Sequence, residues 1–391
     1  MNPFLEKRIK RHVIGKTHRF FAVTLPGAES LCLAELKSLG PTGELREGGV
    51  EFEGRLQDLY AANLMLRTAG RILMRLVSLR AVTFEALQSA SAAFPWELFI
   101  APAATLRFRV TTHRCRLHHT EAIAERMRAA IAERMAKLPS TAAPPDPSLP
   151  VQQMFVRGVD DRFTVSLDSS GENLYRRGIK THGGPAPLRE TLAAAALMLA
   201  GYSGEELLLD PMCGAGTFAI EAAMMAKRRP PGWHREFAFM SWPAFRPKRW
   251  EFMKRRAGDE LRCLEAPRIW ASDLSRDACE RLGQSIRRHD LADAVSVVCR
   301  DFFDLDPRAL GLQPGLLALN PPYGRRLGGV GRGAARLQDV LGVLAERYRG
   351  WRVLLIVPHA DRRRRLPFKA TRHRLAHGGL RIDVLHGRVP A

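Results

Sequence analysis

The chain has 391 residues, 46% of them hydrophobic, and a formal net charge of +21 with a pI near 10.6. That length supports two or three domains, each with its own core, and the apolar content is ordinary for a globular protein. The cationic excess favours a polyanionic partner, the alternative being a chain that is arginine-rich throughout for no functional reason. A membrane surface fits less well because the basic residues are spread over several segments. No apolar run reaches the ~18 residues of a bilayer span, and no secretory segment follows the N-terminus. The six cysteines, at 32, 115, 213, 263, 279 and 299, form neither a Cys-x-x-Cys pair nor a zinc spacing with the histidines. A cytoplasmic location, free thiols and no metal are therefore expected.

In chain order, residues 1–18 form a basic arm through Lys7, Arg8, Lys10 and Arg11, expected to be a disordered or RNA-touching tail. Residues 19–81 alternate strand (Phe20–Leu25), helix (Ala28–Leu39, ending at Gly40), strand (Gly49–Phe52), amphipathic helix (Arg55–Ala69) and strand (Arg71–Leu79). This suits a small ferredoxin-like domain. Residues 82–172 follow with a helix near 84–94, a strand at Thr105–Thr111, a helix over Thr120–Lys137 and a strand pair at Gln153–Arg157 and Arg162–Leu167. Within them Pro139–Pro150 holds five prolines and reads as a surface loop. From about Asn173 to Ala391 the pattern becomes that of a parallel α/β sheet. Its strands are expected at Leu207–Asp210, Arg268–Asp273, Val295–Asp301, Gly315–Asn320 and Arg352–Val357, with helices at Asp277–His289 and Gly333–Tyr348. A hairpin over Thr371–His377 and Leu380–Val389 ends the domain. An insert at 228–260 mixes Arg and Lys with Trp233, Phe237, Phe239, Trp242, Phe245, Trp250 and Phe252. It reads equally as an RNA-contacting surface and as a docked flap with core aromatics.

Two motifs carry chemistry. Asn320-Pro321-Pro322-Tyr323-Gly324 ends the apolar run from Gly315 to Leu319. The Asn320 side-chain oxygen and the Pro321 carbonyl can each accept one N–H of a planar amine. The proline rings fix the local backbone, so the acceptors are aimed in advance. Tyr323 offers a face for stacking a base. The second motif, Leu207 to Thr217, reads as strand, acidic strand end at Asp210, and a tight turn through Pro211, Cys213, Gly214 and Gly216, followed by a helix. It has neither the third glycine of a dinucleotide fingerprint nor the Lys-Ser/Thr of a P-loop. An acidic residue ahead of the glycines disfavours a phosphate and suits an amine. S-adenosylmethionine has an amine, a carboxylate and no phosphate.

These motifs, with Pro187-Leu-Arg-Glu-Thr-Leu-Ala-Ala-Ala195, Pro231-Gly-Trp-His234 and Gly48-Gly-Val-Glu-Phe52, resemble the THUMP-containing class I RNA methyltransferases of the RlmL type. The resemblance covers nearly the whole chain and is to the N-terminal half of that type, which methylates guanine N2 of 23S rRNA. It implies that residues 82–172 are a THUMP RNA-binding domain and that residues 173–391 are a class I, Rossmann-like methyltransferase domain with S-adenosylmethionine as cofactor. The chain ends at Ala391, so it would correspond to the guanine-N2 half alone.

In such sheets ligands bind beyond the carboxyl ends of the strands. Asp273, with Leu274 after it, is then placed for the ribose hydroxyls. Asp301 would take the adenine amine with Phe302 nearby, and Asp210 would orient the methionine amine through water. Each aspartate has an alternative role as a helix-initiating cap. Arg189 or Thr191 would reach the methionine carboxylate, unless the segment only begins a helix. Pro211, Cys213, Gly214, Gly216 and Thr217 would cradle the cofactor, with Asn320 at its methyl end. Asn320, Pro321, Pro322 and Tyr323 would hold the amine, with no general base. The expected partner is 23S rRNA or a large-subunit assembly intermediate, bound by a monomer. The competing readings are a tRNA guanine-N2 methyltransferase, a DNA adenine-N6 methyltransferase, since Asn-Pro-Pro-Tyr also occurs there, and a non-catalytic RNA-binding assembly factor.

Overall fold

A computed structural model describes residues 3–137, 146, 149–180, 188–321, 330–359, 365–377 and 379–391. The chain divides into two compact units. The first comprises Met1–Thr24, Cys32–Leu174 and Arg235–Lys254, and the second Leu25–Leu31, Tyr175–His234 and Arg255–Ala391.

The elements up to residue 168 are α1 (Pro3–Ile9), β1 (His18–Thr24), α2 (Glu29–Ser38), β2 (Gly43–Arg46), β3 (Gly49–Gly54), α3 (Leu56–Met65), β4 (Ala69–Arg80), α4 (Phe84–Ala92), β5 (Leu106–His113), α5 (Thr120–Ala136), β6 (Gln152–Val159) and β7 (Arg162–Asp168). All seven strands share one sheet, in the order β2-β3-β1-β4-β7-β6-β5. The sheet runs straight through the boundary expected at 81/82, because β7 pairs antiparallel with β4. A 12-residue strand with one bare edge would invite mispairing, and β7 covers that edge. Its last residue, Asp168, is fully buried and paired with Arg71, whose guanidinium also donates to the Gly171 carbonyl and to Asn173.

The N-terminal arm is not a disordered tail among its described residues. Pro3–Ile9 is helical and continues through a π-helical turn at Lys10–Ile14. Ile9 and Val13, four residues apart on one face, are fully buried, and Arg8 pairs with buried Glu97 at 2.8 Å. The surrounding basic residues masked this apolar pair in the sequence. Strand β2 was likewise not expected; it is a four-residue edge strand with a mostly exposed pattern.

The insert resolves toward packing. Phe237, Phe239, Trp242 and Trp250 are buried within the first unit. Phe239 stacks on Tyr60 at 4.5 Å, and the Trp242 indole N–H donates to Gln152 at 2.9 Å. Phe252 is the exposed exception at 50%. Its own burial pushes the Tyr60 hydroxyl up to about 12.

The second unit is built from α6 (Glu190–Leu199), β8 (Leu208–Asp210), α7 (Thr217–Ala226), β9 (Ile269–Asp273), α9 (Arg276–Arg288), β10 (Val295–Cys299), β11 (Leu316–Leu319), α10 (Val330–Arg347), β12 (Arg352–Pro358), β13 (Lys369–His377) and β14 (Leu380–Arg388), with α8 (Pro247–Asp259) shared along the chain between the units. The sheet order is β10-β9-β8-β11-β12-β14-β13. The first five strands are parallel; β14 is antiparallel to both its neighbours, so it alone is reversed and β13 runs with the other five. Seven strands, the last one reversed and inserted between β12 and β13, are the class I methyltransferase fold. Alternate residues face opposite layers: Leu316 and Ala318 join one core with Leu354, and Leu317 and Leu319 join the other with Val353. Both faces are therefore apolar, which is why these strands read as continuous hydrophobic runs. Helix α6 is Ala-rich and buried from Glu190 to Leu197. Arg177 and Glu221 form an ion pair at 2.9 Å with both side chains essentially buried.

Candidate active site

Strand order reverses between β8 and β11, so the connections that leave their carboxyl ends diverge and open a crevice. Asp210 and Asp273 are the last residues of the neighbouring strands β8 and β9, Asp301 follows β10, and Asn320 follows β11 on the other side of β8. The four residues lie far apart in sequence and at one edge of the sheet.

The glycine turn is shaped by its backbone. The Gly216 N–H donates to the Cys213 carbonyl at 2.7 Å, and Gly216 takes φ +72 as it enters α7. A Cβ there would lie 2.3 Å from Leu282, so glycine is required by space as well as by φ. Gly214 has φ +51, but a Cβ there meets nothing within 4 Å. The turn thus packs against the protein at Gly216 and faces open space at Gly214. The Gly214 N–H donates to Asp273 Oδ2 at 2.8 Å, and the Ser275 N–H donates to Oδ1 at 2.9 Å. Two backbone donors hold the carboxylate in one orientation.

Asp210 is 1% exposed and accepts from the Ala219 N–H at 3.3 Å. Burial pushes its carboxyl up to about 8; the Ala219 hydrogen bond opposes this, Asp273 adds to it and Lys180 opposes it. Asp301 caps the short 3-10 turn Phe302–Asp304 by accepting from the Phe303 N–H at 3.2 Å, so the capping role is present. Leu274 is 65% exposed beside Asp273. Phe302 differs from expectation: it is 1% exposed and stacks on Tyr348 at 5.8 Å, so its side chain belongs to the core. Pro211 and Cys213 are buried in the turn.

On the α6 side, Arg189 precedes the helix with its guanidinium 5.0 Å over the Tyr175 ring, and Thr191 is buried. Thr217 Oγ1 donates to the Leu188 carbonyl at 3.3 Å and accepts from Lys180 Nζ at 2.5 Å. Lys180 also pairs with Glu190 at 3.1 Å. Lys180 is the residue that motif reading missed. A single lysine in Gly178-Ile-Lys180 carries no local signal, and only folding brings it to the first turns of α6 and α7. Asn320 is partly exposed and Pro321 buried; Pro322 and Tyr323 lie outside the described residues. No cluster of three or more metal-ligating side chains occurs among the described residues, and no helix there is long and apolar enough to cross a membrane.

Known proteins resemble this chain in sequence and in fold. Residues 177–377 match the model of the RMKL-like methyltransferase domain, and residues 19–73 match the RlmL ferredoxin-like domain. The chain is 33% identical over 375 residues to the ribosomal RNA large subunit methyltransferase K/L of Methylococcus capsulatus, covering 93% of this chain and 50% of that protein. It thus spans about half the length of that relative. It is 30% identical over 373 residues to slr0064 of Synechocystis, provisionally named an RNA methyltransferase, covering 94% of this chain and 96% of that one. Among solved structures, SMU.472, crystallised with S-adenosylhomocysteine (SAH), superimposes with a TM-score of 0.86 at 26% identity, over 96% of this chain and 99% of that one. A matched domain over half the chain, together with relatives at 30% identity or more along nearly all of it, makes this protein a member of the RMKL-like methyltransferase family.

Proposed function

We propose that this chain transfers a methyl group from S-adenosylmethionine to an RNA amine, guanine N2 of 23S rRNA. The observation that carries the reading is the set of acidic residues at the carboxyl ends of β8, β9 and β10, with Asn320-Pro321 directly after β11 on the other side of the switch point. The residues fit an adenosyl cofactor. Acidic ends suit hydroxyls and amines and repel phosphate, and the open space at Gly214 admits a ligand against the backbone. Asp273, held by two N–H donors, would take the ribose hydroxyls, and Asp301 the adenine amine beside exposed Leu274. Asp210 would face the amino-acid end, with Arg189, Thr191, Thr217 and Lys180 near the carboxylate. When bound, the cofactor supplies an electrophilic methyl on a sulfonium.

The chain's own contribution is orientation. Guanine N2 is a weak nucleophile because its lone pair is delocalised into the ring. Asn320 Oδ1 and the Pro321 carbonyl would accept its two N–H groups and turn the lone pair toward the methyl, so proximity and alignment supply most of the rate. Tyr323 would stack the flipped base, whose extraction costs roughly a few kcal/mol. The proton leaves to water after transfer.

RNA as the polyanion is supported by the net charge of +21 and by the names of the relatives. It is also supported by a groove of about 580 Å³ in the first unit, beside β5 and α5, lined by Arg107, Arg109 and Arg128 with Glu121 as its acidic residue. The test is incubation of the protein with tritiated S-adenosylmethionine and either rRNA, tRNA or DNA, followed by nucleoside mass spectrometry. N2-methylguanosine in 23S rRNA is expected. Label in tRNA or in DNA adenine moves the substrate, and no label in any of them overturns the enzymatic reading.

A further inference from the structure

Helix α8 carries its aromatic rings on two opposite sides. Trp250 is buried and meets Tyr60, Phe237 and Phe239 edge-on at 6.4, 5.6 and 5.5 Å, which fastens that side of the helix against rings of the first unit. Phe252, two residues on and so about 200° round the axis, is 50% exposed. Lys248 and Arg249 precede it by four and three residues, and Arg255 and Arg256 follow it by three and four. That spacing puts all four cations around the ring on one helix face, and all four are exposed. Glu251 lies to the side of this face and Asp259 about one turn beyond Arg256, which bounds the basic patch. An exposed phenylalanine alone signifies nothing, since single apolar residues are common on surfaces. A planar ring set among four cations is the pairing that a nucleic-acid strand requires: a face for a base and charge for its phosphates.

We propose that this face of α8 is an RNA-contacting surface on which Phe252 stacks an unpaired base while Lys248, Arg249, Arg255 and Arg256 hold the phosphates on either side of it. The inference rests on the reading of RNA as the substrate, and it adds a contact surface separate from the β5–α5 groove. Lys248 and Arg256 lie about 12 Å apart along the helix axis with the ring midway, so positive charge flanks the stacked base in both directions along the strand. The ring offers its plane only to a base that has left its own stack. Paired bases of A-form RNA keep their faces covered, so the surface selects single-stranded RNA over duplex. A membrane surface fits less well. An interfacial helix presents a continuous apolar face, whereas the positions three and four residues from Phe252 on both sides are all charged. The division of the aromatic rings explains the composition of the insert: the buried rings hold α8 in place, and the exposed one is left for the ligand.

The experiment uses the full chain and a fluorescein-labelled RNA of about 16 nucleotides, presented single-stranded and annealed to its complement. Phe252→Ala should weaken single-strand binding roughly 5- to 150-fold, the range for losing one base–aromatic stack, and duplex binding less than about twofold. Phe252→Leu keeps the apolar bulk without the planar face and should lose single-strand affinity as Phe252→Ala does, whereas Phe252→Trp should retain it. Lys248→Glu with Arg256→Glu should make the log–log salt slope shallower by about 1.4, two phosphates at roughly 0.7 each, while Phe252→Ala leaves the slope unchanged. Wild-type single-strand affinity in Phe252→Ala or Phe252→Leu would overturn the proposal. So would an equal loss on single strand and duplex, which would make the contact one to the backbone alone. A slope unchanged by the charge reversals would also overturn it and give the face to an acidic protein surface. If the wild-type chain binds neither form of RNA, the RNA reading fails and the inference with it; wild-type binding that the α8 variants leave intact fails the inference alone.

Discussion

Cofactor binding should be linked to a proton through Asp210. The carboxyl is 1% exposed, and burial pushes it up to about 8, so in the ligand-free protein it is mostly protonated at pH 7. A cofactor bringing an ammonium to this strand end favours the carboxylate and draws the proton off. The sign follows from the direction of the shift: affinity should rise with pH up to about 8 and level off above it. With a ligand-free value of about 8, about one molecule in a hundred is ionised at pH 6 and about half at pH 8, so affinity should increase about fifty-fold between them. Titration calorimetry with SAH, run at several pH values in buffers of different ionisation enthalpy, reads both the slope and the proton released. Asp210→Asn cannot ionise, so its profile carries only the titration of the ligand's own amine, and the difference between the two profiles isolates Asp210. A wild-type profile that parallels Asp210→Asn between pH 6 and 8, with no buffer-dependent enthalpy, would refute the placement of the amine at this carboxylate. The same shift acts on folding. The folded chain holds this proton more tightly than the unfolded one, so the contribution of Asp210 to stability falls as pH rises from about 4 to about 8, and Asp210→Asn should flatten that decline.

The two turn glycines should separate in their phenotypes. Gly216→Ala meets Leu282 at 2.3 Å with φ +72 and should lower thermal stability, whereas Gly214→Val points into open space and should lose SAH affinity with a smaller stability cost, about 1–2 kcal/mol for its φ; equal melting temperatures for the two would contradict this. Asn320→Ala should reduce single-turnover methylation about 10²–10³-fold at saturating cofactor while cofactor affinity changes less than about threefold, and wild-type turnover would remove Asn320 from the amine site. Arg177→Met takes the guanidinium away from the buried Glu221 carboxylate and should destabilise the fold by up to about 3–5 kcal/mol in urea unfolding, with a cost below about 1 kcal/mol arguing that the pair is not buried in solution. RNA affinity should fall with salt at a log–log slope of roughly −0.7 per phosphate contacted on single strands, and Arg107→Glu with Arg109→Glu should make the slope shallower; an unchanged slope would exclude the β5–α5 groove.

Much of the second unit was legible in the sequence because its signals are local. Apolar runs of four to seven residues ending in Asp210, Asp273 and Asn320 mark buried parallel strands and their ligand-facing ends, and two close glycines mark a backbone turn. The expected strand bounds agree with the observed ones to within two residues. Strand order is not local. Nothing in the run Leu316–Leu319 says that it pairs with β8, yet that pairing creates the crevice. The N-terminal sheet follows the same rule: β4 and β7 each read as a strand, but their joining across the expected domain boundary depends on a free edge meeting a partner almost ninety residues away. Aromatic-basic composition left the insert ambiguous, since Phe239 and Trp250 look alike whether they meet a base or pack against Tyr60, and only packing decided it. Phe302 adjoins Asp301 in sequence, but the 3-10 turn swings its ring into the core against Tyr348. Side-chain identity and spacing thus determined which atoms this protein can present. Which of them meet, Lys180 with Thr217, Gly214 with Asp273, and how far burial shifts Asp210, was decided by tertiary structure, because desolvation and contact are properties of the whole packed chain.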